Sequence, residues 1–280
     1  MAKIKNFKTI FPAVSVPLND DYTINEPEFR AYLRWIKSFY DKGIQGLVCN
    51  GHTGEITGLS RAERRRVVEI CSEECGDIMT IISGINCENT IESIEMAKEA
   101  KEAGADGILL MPPHMWLRFG MHKDAPYEYV KDVAEGADID IIIHLYPATS
   151  KAFYPVGTLI KMCKEIEHVK CIKMGTRVTS IYEHDVRLLR QECPDISLIT
   201  CHDETLCVSW FPGMDGALIG FAGCVPEIIC PAREVFANPD KHTLKEAQDW
   251  SDRIYHISQA IYGGGQPSGE AHARLKEALV

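Results

Sequence analysis

The stretch ENTIESIEMAKEAKEAGADGILLMPP, residues 88–113, joins a helical pattern to an apolar strand through one glycine. Apolar residues recur at helical spacing until Gly104, and residues 106–111 then form a short apolar run that is typical of a buried strand. The same glycine turn recurs as GIQGLV from Gly43 and as GMDGAL from Gly213. Since one strand-helix unit takes roughly 30 residues, the gaps between these turns hold about two and about four units. We therefore expect the three glycines to precede strands two, four and eight.

Eight alternations of strand and helix can be assigned along the chain. The predicted strands cover residues 9–16, 44–50, 78–85, 106–111, 139–146, 168–174, 196–201 and 215–221. This order predicts an α/β fold, a (β/α)8 TIM barrel with additional C-terminal helices. A doubly wound sheet is less favoured because no GxGxxG motif follows the first strand. We assign residues 1–224 to the barrel, and residues 225–280 to its last helix and a C-terminal helical extension.

The C-terminal extension has two helical patterns, at residues 239–262 and 268–280. Between them lies the glycine-rich segment YGGGQPSGE (262–270). We interpret this segment as a connector and not as a phosphate-binding loop, because it follows a helix instead of a strand.

Charge and cysteine content exclude several classes of protein. The formal net charge of −10 gives no attraction to nucleic acid or to anionic membranes, and the one basic run, RAERRR (61–66), fits the solvated face of a helix. We find no signal peptide and no run near the ~18 apolar residues of a membrane span. The eleven cysteines include no CxxC pair, which favours free thiols in a reducing compartment. We expect a cytoplasmic protein.

One lysine lies in a strand that otherwise reads as buried. With the alternation of a strand, Val169, Cys171 and Lys173 share one face of HVKCIKMGT (168–176), which would point into the barrel with Lys173 at the carboxyl end of predicted strand six. Active groups of a barrel collect at that end, and Tyr146 has the equivalent place on strand five. A desolvated lysine attacks carbonyl groups, and a nearby phenol can move protons. A structural lysine with a carboxylate partner is the alternative that strand position alone leaves open.

The loop NGHTGE (50–55) after predicted strand two could hold a carboxylate. Its glycines, including Gly51, allow close approach of the backbone to a ligand, and the loop offers N–H groups. Thr53 adds a hydroxyl.

Together, these segments resemble the dihydrodipicolinate synthase and N-acetylneuraminate lyase family of Schiff-base barrels. The resemblance covers nearly the whole chain, including FPAVSVPLNDDYTIN, the GxTGE loop, HLYPATS and IKMGT. It implies that Lys173 forms an imine with a 2-oxo acid, usually pyruvate, that Tyr146 relays protons, and that Gly51 to Thr53 hold the carboxylate. It also implies a homotetramer that needs neither cofactor nor metal, because the imine is formed by the protein itself.

Departures from the family pattern bear on the substrate. His52 replaces the usual hydroxyl residue before Thr53, and YPATSKAFY after strand five offers only Lys151 where dihydrodipicolinate synthases typically carry an arginine. Lysine biosynthesis is therefore not expected. CHDET (201–205) resembles the segment with which sialic acid lyases bind sugar hydroxyls, which would make Asp203 and Glu204 substrate ligands.

The segments HMW (114–116) and YPATSKAF instead resemble the hydratase-aldolase branch that handles aromatic aldehydes, and Trp116 would then form an apolar wall. The sequence leaves the choice between a sugar-derived and an aromatic substrate open. A Schiff-base dehydratase of a 2-keto-3-deoxy sugar acid is a further alternative.

Two other readings change the mechanism. His52, His144 and His202 lie near the tops of predicted strands and, with Asp203, could bind a divalent metal as in metal-dependent barrel lyases. Alternatively, the chain binds a 2-oxo acid without turning it over, in which case Lys173 would be dispensable for binding.

Overall fold

The protein is described by a computed structural model that covers residues 3–263 and 269–280. The strands are β1 (Ile10–Pro12), β2 (Gly46–Cys49), β3 (Thr80–Ile85), β4 (Gly107–Leu110), β5 (Asp140–His144), β6 (Val169–Met174), β7 (Ser197–Thr200) and β8 (Gly216–Ile219). The α-helices are α1 (Glu26–Lys37), α2 (Arg61–Cys75), α3 (Thr90–Glu102), α4 (His114–Phe119), α5 (Ala125–Ala137), α6 (Val156–Glu165), α7 (Thr179–Glu192), α8 (Leu206–Trp210), α9 (Pro226–Ala237), α10 (Leu244–Tyr262) and α11 (Ala271–Glu277).

The eight strands form one parallel sheet that closes into a barrel. Each strand pairs with the next one along the chain from β2 to β8, and β1 pairs with β8. The ring closes between β1 and β2, where Ala13 bridges to Val48. The (β/α)8 barrel with C-terminal helices is confirmed. Gly43, Gly104 and Gly213 have φ values of 111°, 104° and 84°, and they precede β2, β4 and β8 as expected.

The barrel interior is filled by one inward side chain from each strand. These residues are Phe11, Val48, Ile82, Leu109, Ile142, Cys171, Ile199 and Leu218. A second, larger cluster lies between the strands and the surrounding helices. Val169 belongs to this outer cluster, so the prediction that it shares the inward face of Cys171 and Lys173 was wrong. A bulge opposite Ile141 and Ile142 shifts the register of β6 between Val169 and Cys171.

The basic run at residues 61–66 forms the start of α2, as predicted. Val67, Val68 and Ile70 are buried on one face of this helix. On the other face, Arg61 pairs with Glu99, and Arg66 pairs with Glu26. These two arginines are therefore paired with carboxylates of the neighbouring helices α3 and α1.

The C-terminal helices are shorter than their sequence patterns. α10 begins at Leu244 instead of residue 239, because Thr243 caps it: Thr243 Oγ1 accepts a hydrogen bond from the Glu246 N–H, and the Glu246 carboxylate accepts one from the Thr243 N–H. The final helix spans Ala271–Glu277 within the pattern at 268–280. Most of the YGGGQPSGE connector lies outside the described residues. The division of the chain after residue 224 stays a prediction.

Two further features bear on the surroundings of the protein. None of the helices that the structure describes is long and apolar enough to cross a bilayer. All eleven cysteines are free thiols, and all except the half-buried Cys163 are buried.

Candidate active site

A cavity of about 690 Å³ lies at the carboxyl ends of the strands. Loops after β2, β5, β6 and β7 form its walls, and they contribute Thr53, Tyr146, Arg177 and Asp203. Part of its lining comes from the C-terminal helices, through Tyr262, His272 and Leu275. This is the end of a barrel at which active groups collect.

Lys173 lies within this cavity on β6. It pairs in register with His144 of β5 and Ile199 of β7. Within the described part of the chain, no carboxylate lies within 4.0 Å of its Nζ atom. Burial lowers the pKa of Lys173 below its ordinary value, and the positive charge of Arg177 lowers it further. A structural lysine held by a carboxylate is therefore not what the geometry shows.

Tyr146 lines the same cavity from the loop after β5. The strand was predicted to run to residue 146 but ends at His144, because the last ladder contact is the hydrogen bond from the Leu145 N–H to the Lys173 carbonyl, 3.0 Å long. The Tyr146 hydroxyl lies 3.3 Å from Nε2 of His52 and 3.3 Å from Nε2 of His114. Burial raises the pKa of Tyr146, so the phenol keeps its proton at neutral pH.

Two of the histidines around Tyr146, His52 and His144, are neutral because they are buried. Burial lowers the pKa of His52 to about 3, with a further contribution from the charge of Lys173, and it also lowers the pKa of His144. Nε2 of His114 lies 2.9 Å from Nδ2 of Asn86, which can donate a hydrogen bond to it. The phenol hydroxyl therefore faces the neutral imidazole of His52 on one side and the ring of His114 on the other, and each ring nitrogen can accept or donate a hydrogen bond according to its tautomer.

The loop after β2 lies where a substrate carboxylate was expected. His52 and Thr53 line the cavity, whereas Gly51 is buried beneath them, with its carbonyl accepting a hydrogen bond from the Ile56 N–H. Glu55 adopts a left-handed backbone conformation at φ 53° and forms an ion pair with Lys276 of α11. This ion pair ties the loop to the C-terminal helix.

Asp203 and Glu204 lie in different surroundings, although the sequence predicted that both bind substrate. Asp203 lines the Lys173 cavity, and its Oδ1 accepts a hydrogen bond of 2.9 Å from the Phe221 N–H. Burial raises the pKa of Asp203 from its ordinary value of 3.8 to about 6. Glu204 accepts a hydrogen bond of 2.7 Å from Nε of Arg177 and lines a separate cavity of about 310 Å³. The expected pairing of the two carboxylates around a sugar chain is therefore wrong for Glu204.

Trp116 does not line the cavity, so it is not the apolar wall that the sequence suggested. Its ring packs edge-on against Tyr129 and Tyr154, with centroid distances of 5.6 and 6.3 Å. Leu117, the next residue of α4, faces the cavity instead.

The metal-dependent alternative requires His202 to lie with His52 and His144, but only the latter two line the Lys173 cavity. His202 packs against Tyr182, with ring centroids 4.9 Å apart, and lines the smaller cavity. Among the residues that the structure describes, no three His, Cys, Asp or Glu side chains are disposed to hold a metal ion.

Several site residues were not selected from the sequence. The sequence could have indicated His114 and Arg177, because His114 begins the segment after strand four and Arg177 follows the carboxyl end of β6. Tyr262 had no such signal: it lines the cavity beside Asp203 from α10, a helix whose docking on the barrel no local pattern reveals.

Comparison with known proteins identifies relatives of the whole chain. The model of the dihydrodipicolinate synthetase family matches residues 6–269. A 4-hydroxy-tetrahydrodipicolinate synthase from Brucella abortus is 33% identical over 276 residues, which cover 93% of this chain and 85% of the relative. An uncharacterised DapA-like lyase from Pyrococcus horikoshii is 29% identical over 252 residues, which cover 89% and 82% of the two chains.

Solved structures show the same fold. YagE from E. coli K12, a protein of the dihydrodipicolinic acid synthase family in complex with pyruvate, superimposes with a TM-score of 0.85 at 20% identity over 98% of this chain and 87% of that one. A dihydrodipicolinate synthase from Acinetobacter baumannii complexed with pyruvate gives a TM-score of 0.84 at 21% identity, with 98% and 90% covered. At these identities the likeness is one of fold.

Proposed function

Because the chain belongs to the dihydrodipicolinate synthetase family, a family of class I aldolase-type lyases, we propose that it makes or breaks a carbon–carbon bond between a 2-oxo acid and an aldehyde through an imine on Lys173. The simplest such 2-oxo acid is pyruvate, with which the related YagE structure is complexed. The observation that carries the proposal is a lysine of lowered pKa that lines a large cavity without a carboxylate partner among the described residues.

The surroundings of Lys173 suit each step of this reaction. The neutral amine attacks the ketone carbon, and the resulting carbinolamine loses water to give the imine. Loss of a proton from the neighbouring carbon then gives an enamine, which attacks the aldehyde; the reverse sequence is cleavage. Tyr146, between His52 and His114, moves the protons. The loop at His52 and Thr53 holds the substrate carboxylate, and no cofactor is required.

We do not assign the lysine-biosynthetic reaction to this chain, although some of its relatives are named for it. The segment after Tyr146 has no arginine, and its one lysine, Lys151, is exposed and donates a hydrogen bond of 2.9 Å to the Arg118 carbonyl. In line with this, we expect L-aspartate 4-semialdehyde to be a poor second substrate. A coupled assay with pyruvate and this aldehyde tests the assignment, and efficient turnover would reverse it.

The proposal extends to assembly and location. A homotetramer follows from the family resemblance and is tested by light scattering. A cytoplasmic location is supported by eleven free thiols, which a reducing compartment preserves.

Borohydride trapping tests the imine directly. The protein is incubated with pyruvate and borohydride, or with borohydride alone, and analysed by intact and peptide mass spectrometry. We expect a pyruvate-derived adduct on Lys173 only when pyruvate is present. Lys173→Ala removes the adduct and the turnover, whereas Lys170→Ala is the matched control, because Lys170 lies on the same strand and contacts the Glu167 carbonyl instead of the cavity.

Failure to trap pyruvate or a longer 2-oxo acid would contradict the imine mechanism. Loss of activity on addition of a chelator would then favour the metal-dependent alternative. Binding of pyruvate that survives in Lys173→Ala would favour a protein that only binds the 2-oxo acid.

A further inference from the structure

Arg177 enters the Lys173 cavity from the loop between β6 and α7. It lies four residues after Lys173, and it is the one arginine among the described residues that line this cavity. Its side chain is 24% exposed, so the guanidinium is largely withdrawn from solvent. The smaller cavity that contains Glu204 lies on its other side.

The contacts of Arg177 leave part of the guanidinium free for a ligand. Nε donates a hydrogen bond of 2.7 Å to Oε1 of Glu204, and Nη1 makes a long contact of 3.5 Å with the Gly175 carbonyl. A guanidinium has five N–H donors, and the edge formed by Nη1 and Nη2 matches the two oxygens of a carboxylate. Within the described part of the chain, the donors of Nη2 have no partner.

The positive charge of Arg177 still acts on neighbouring groups despite its ion pair with Glu204. It contributes to lowering the pKa of Lys173, His144 and His202, so its field reaches three neighbouring groups. Glu204 meets the guanidinium with one oxygen only, since its Oε2 is buried and has no partner among the described residues. The pair with Glu204 engages Nε, so the Nη1 and Nη2 edge of the guanidinium stays available to a second anion.

The cavity offers few other cations to a substrate. His52 and His144 are neutral at physiological pH, and Lys173 is consumed when the imine forms. Among the described lining residues, Arg177 is then the remaining side chain with a permanent positive charge. The 2-oxo carboxylate is directed toward the β2 loop, across the barrel from β6. Arg177 is therefore left for a second acid group.

We propose that Arg177 binds a carboxylate at the far end of the substrate, so that the aldehyde partner is one that carries an acid group. This inference rests on the proposed imine function of the same cavity. It differs from the arrangement expected of a lysine-biosynthetic enzyme, because the cation follows β6 and not the strand-five tyrosine. A planar guanidinium that is already fixed by Glu204 loses little freedom on binding a carboxylate.

Imine trapping can test this without knowledge of the natural aldehyde. Two pairs of 2-oxo acids of equal length serve as probes: 2-oxoglutarate against 2-oxopentanoate, and 2-oxoadipate against 2-oxohexanoate. Each pair differs only in a terminal carboxylate or methyl group. The fraction of protein trapped with cyanoborohydride is measured against concentration to give a half-saturation value. In the unaltered protein we expect at least one diacid to saturate at a concentration about tenfold or more below that of its neutral counterpart.

The variants assign that preference to one side chain. In Arg177→Gln the ratio of half-saturation values should fall to about one. Arg187→Gln is the matched control: it removes the same charge from the smaller cavity but not from the Lys173 cavity, and should keep the preference. If Arg177→Gln misfolds because Glu204 is left unpaired, the double variant R177Q/E204Q removes both charges.

Three outcomes are distinguishable. No preference for either diacid in the unaltered protein, with pyruvate still trapped, overturns the inference and leaves the imine function standing. A preference that persists without Arg177 also overturns it. Absence of any trapped 2-oxo acid, pyruvate included, overturns the proposed function and this inference with it.

Discussion

Replacing Asp203 by asparagine should stabilise the protein above neutral pH while impairing the site. The pKa of this carboxyl is raised from 3.8 to about 6 in the folded chain because it is buried. The folded state therefore keeps a proton that the unfolded chain has already released, and stability falls as the pH rises through this window. A difference of about 2 pH units corresponds to about 3 kcal/mol at 1.36 kcal/mol per unit. The neutral amide of the variant would not carry this cost.

The assay is urea unfolding of the unaltered protein and of Asp203→Asn at about pH 4 and about pH 8, at one protomer concentration. The advantage of the variant should grow by about 3 kcal/mol between these two values. All other ionisable groups are shared by the two proteins, so their contributions largely cancel in this difference. The hydrogen bond from the Phe221 N–H is kept by the amide oxygen, which separates the effect of charge from the loss of a contact.

A difference between the two proteins that stays constant from about pH 4 to about pH 8 would refute the reasoning, since Asp203 would then not change its charge in this range. If the advantage of the variant grows with pH as expected, the buried carboxylate of Asp203 lowers the stability of the folded protein at a functional site.

Three further predictions concern the fold, the proton relay and the thiols. Gly216→Ala should lower the free energy of unfolding, measured in urea, by at least about 1–3 kcal/mol, because the new Cβ would lie 1.9 Å from a backbone oxygen. Gly157→Ala is the control: its Cβ enters open space, and the substitution should be neutral or stabilising by up to about 1 kcal/mol. His52→Phe should slow imine formation with pyruvate about 100-fold in rapid-quench trapping, since it removes the nitrogen beside the Tyr146 hydroxyl; an unchanged rate would exclude this role. Iodoacetamide should label Cys163 first in a peptide-mapping time course, because the other thiols are buried; earlier labelling of another cysteine would contradict this.

Strand identity could be predicted from the sequence, but strand length could not. All eight strands overlap their predicted ranges. Each strand has apolar side chains on both faces, one toward the barrel interior and one toward the helices, and such a continuous apolar run is typical of a buried strand. Six of the eight strand ends were placed too far along the chain, and only β3 and β6 end at the predicted residue. β1 stops at Pro12 and not at residue 16, although the Ala13 and Val14 N–H groups still bond to neighbouring strands. Apolar patterns continue into such irregular segments, where the regular ladder has ended.

Site residues at the ends of strands could be predicted from the sequence, but residues whose position depends on how a helix packs on the barrel could not. Lys173, Tyr146 and Thr53 could be placed because the carboxyl ends of parallel strands meet at one face of the barrel. Glu204 and Trp116 were misplaced for the opposite reason. Each lies next in the chain to a residue that does line the cavity, and a rotation of one position turns the side chain toward a neighbouring cavity or the core.

Lys173 lies between two walls of the cavity that differ in chemistry, and this difference gives the two walls different roles in the proposed reaction. On the β5 side, Tyr146 keeps its proton and faces the neutral imidazole of His52, which suits proton transfer without a change in net charge. On the other side, Asp203 after β7 ionises near pH 6, and Arg177 in the loop between β6 and α7 is permanently charged, which suits the binding of a charged partner. When the surroundings of two acidic groups separate their pKa values, one site can hold a protonated hydrogen donor and an ionised carboxylate at the same pH. Because β6 separates these walls, a substitution on one side should alter proton transfer and a substitution on the other should alter partner selection.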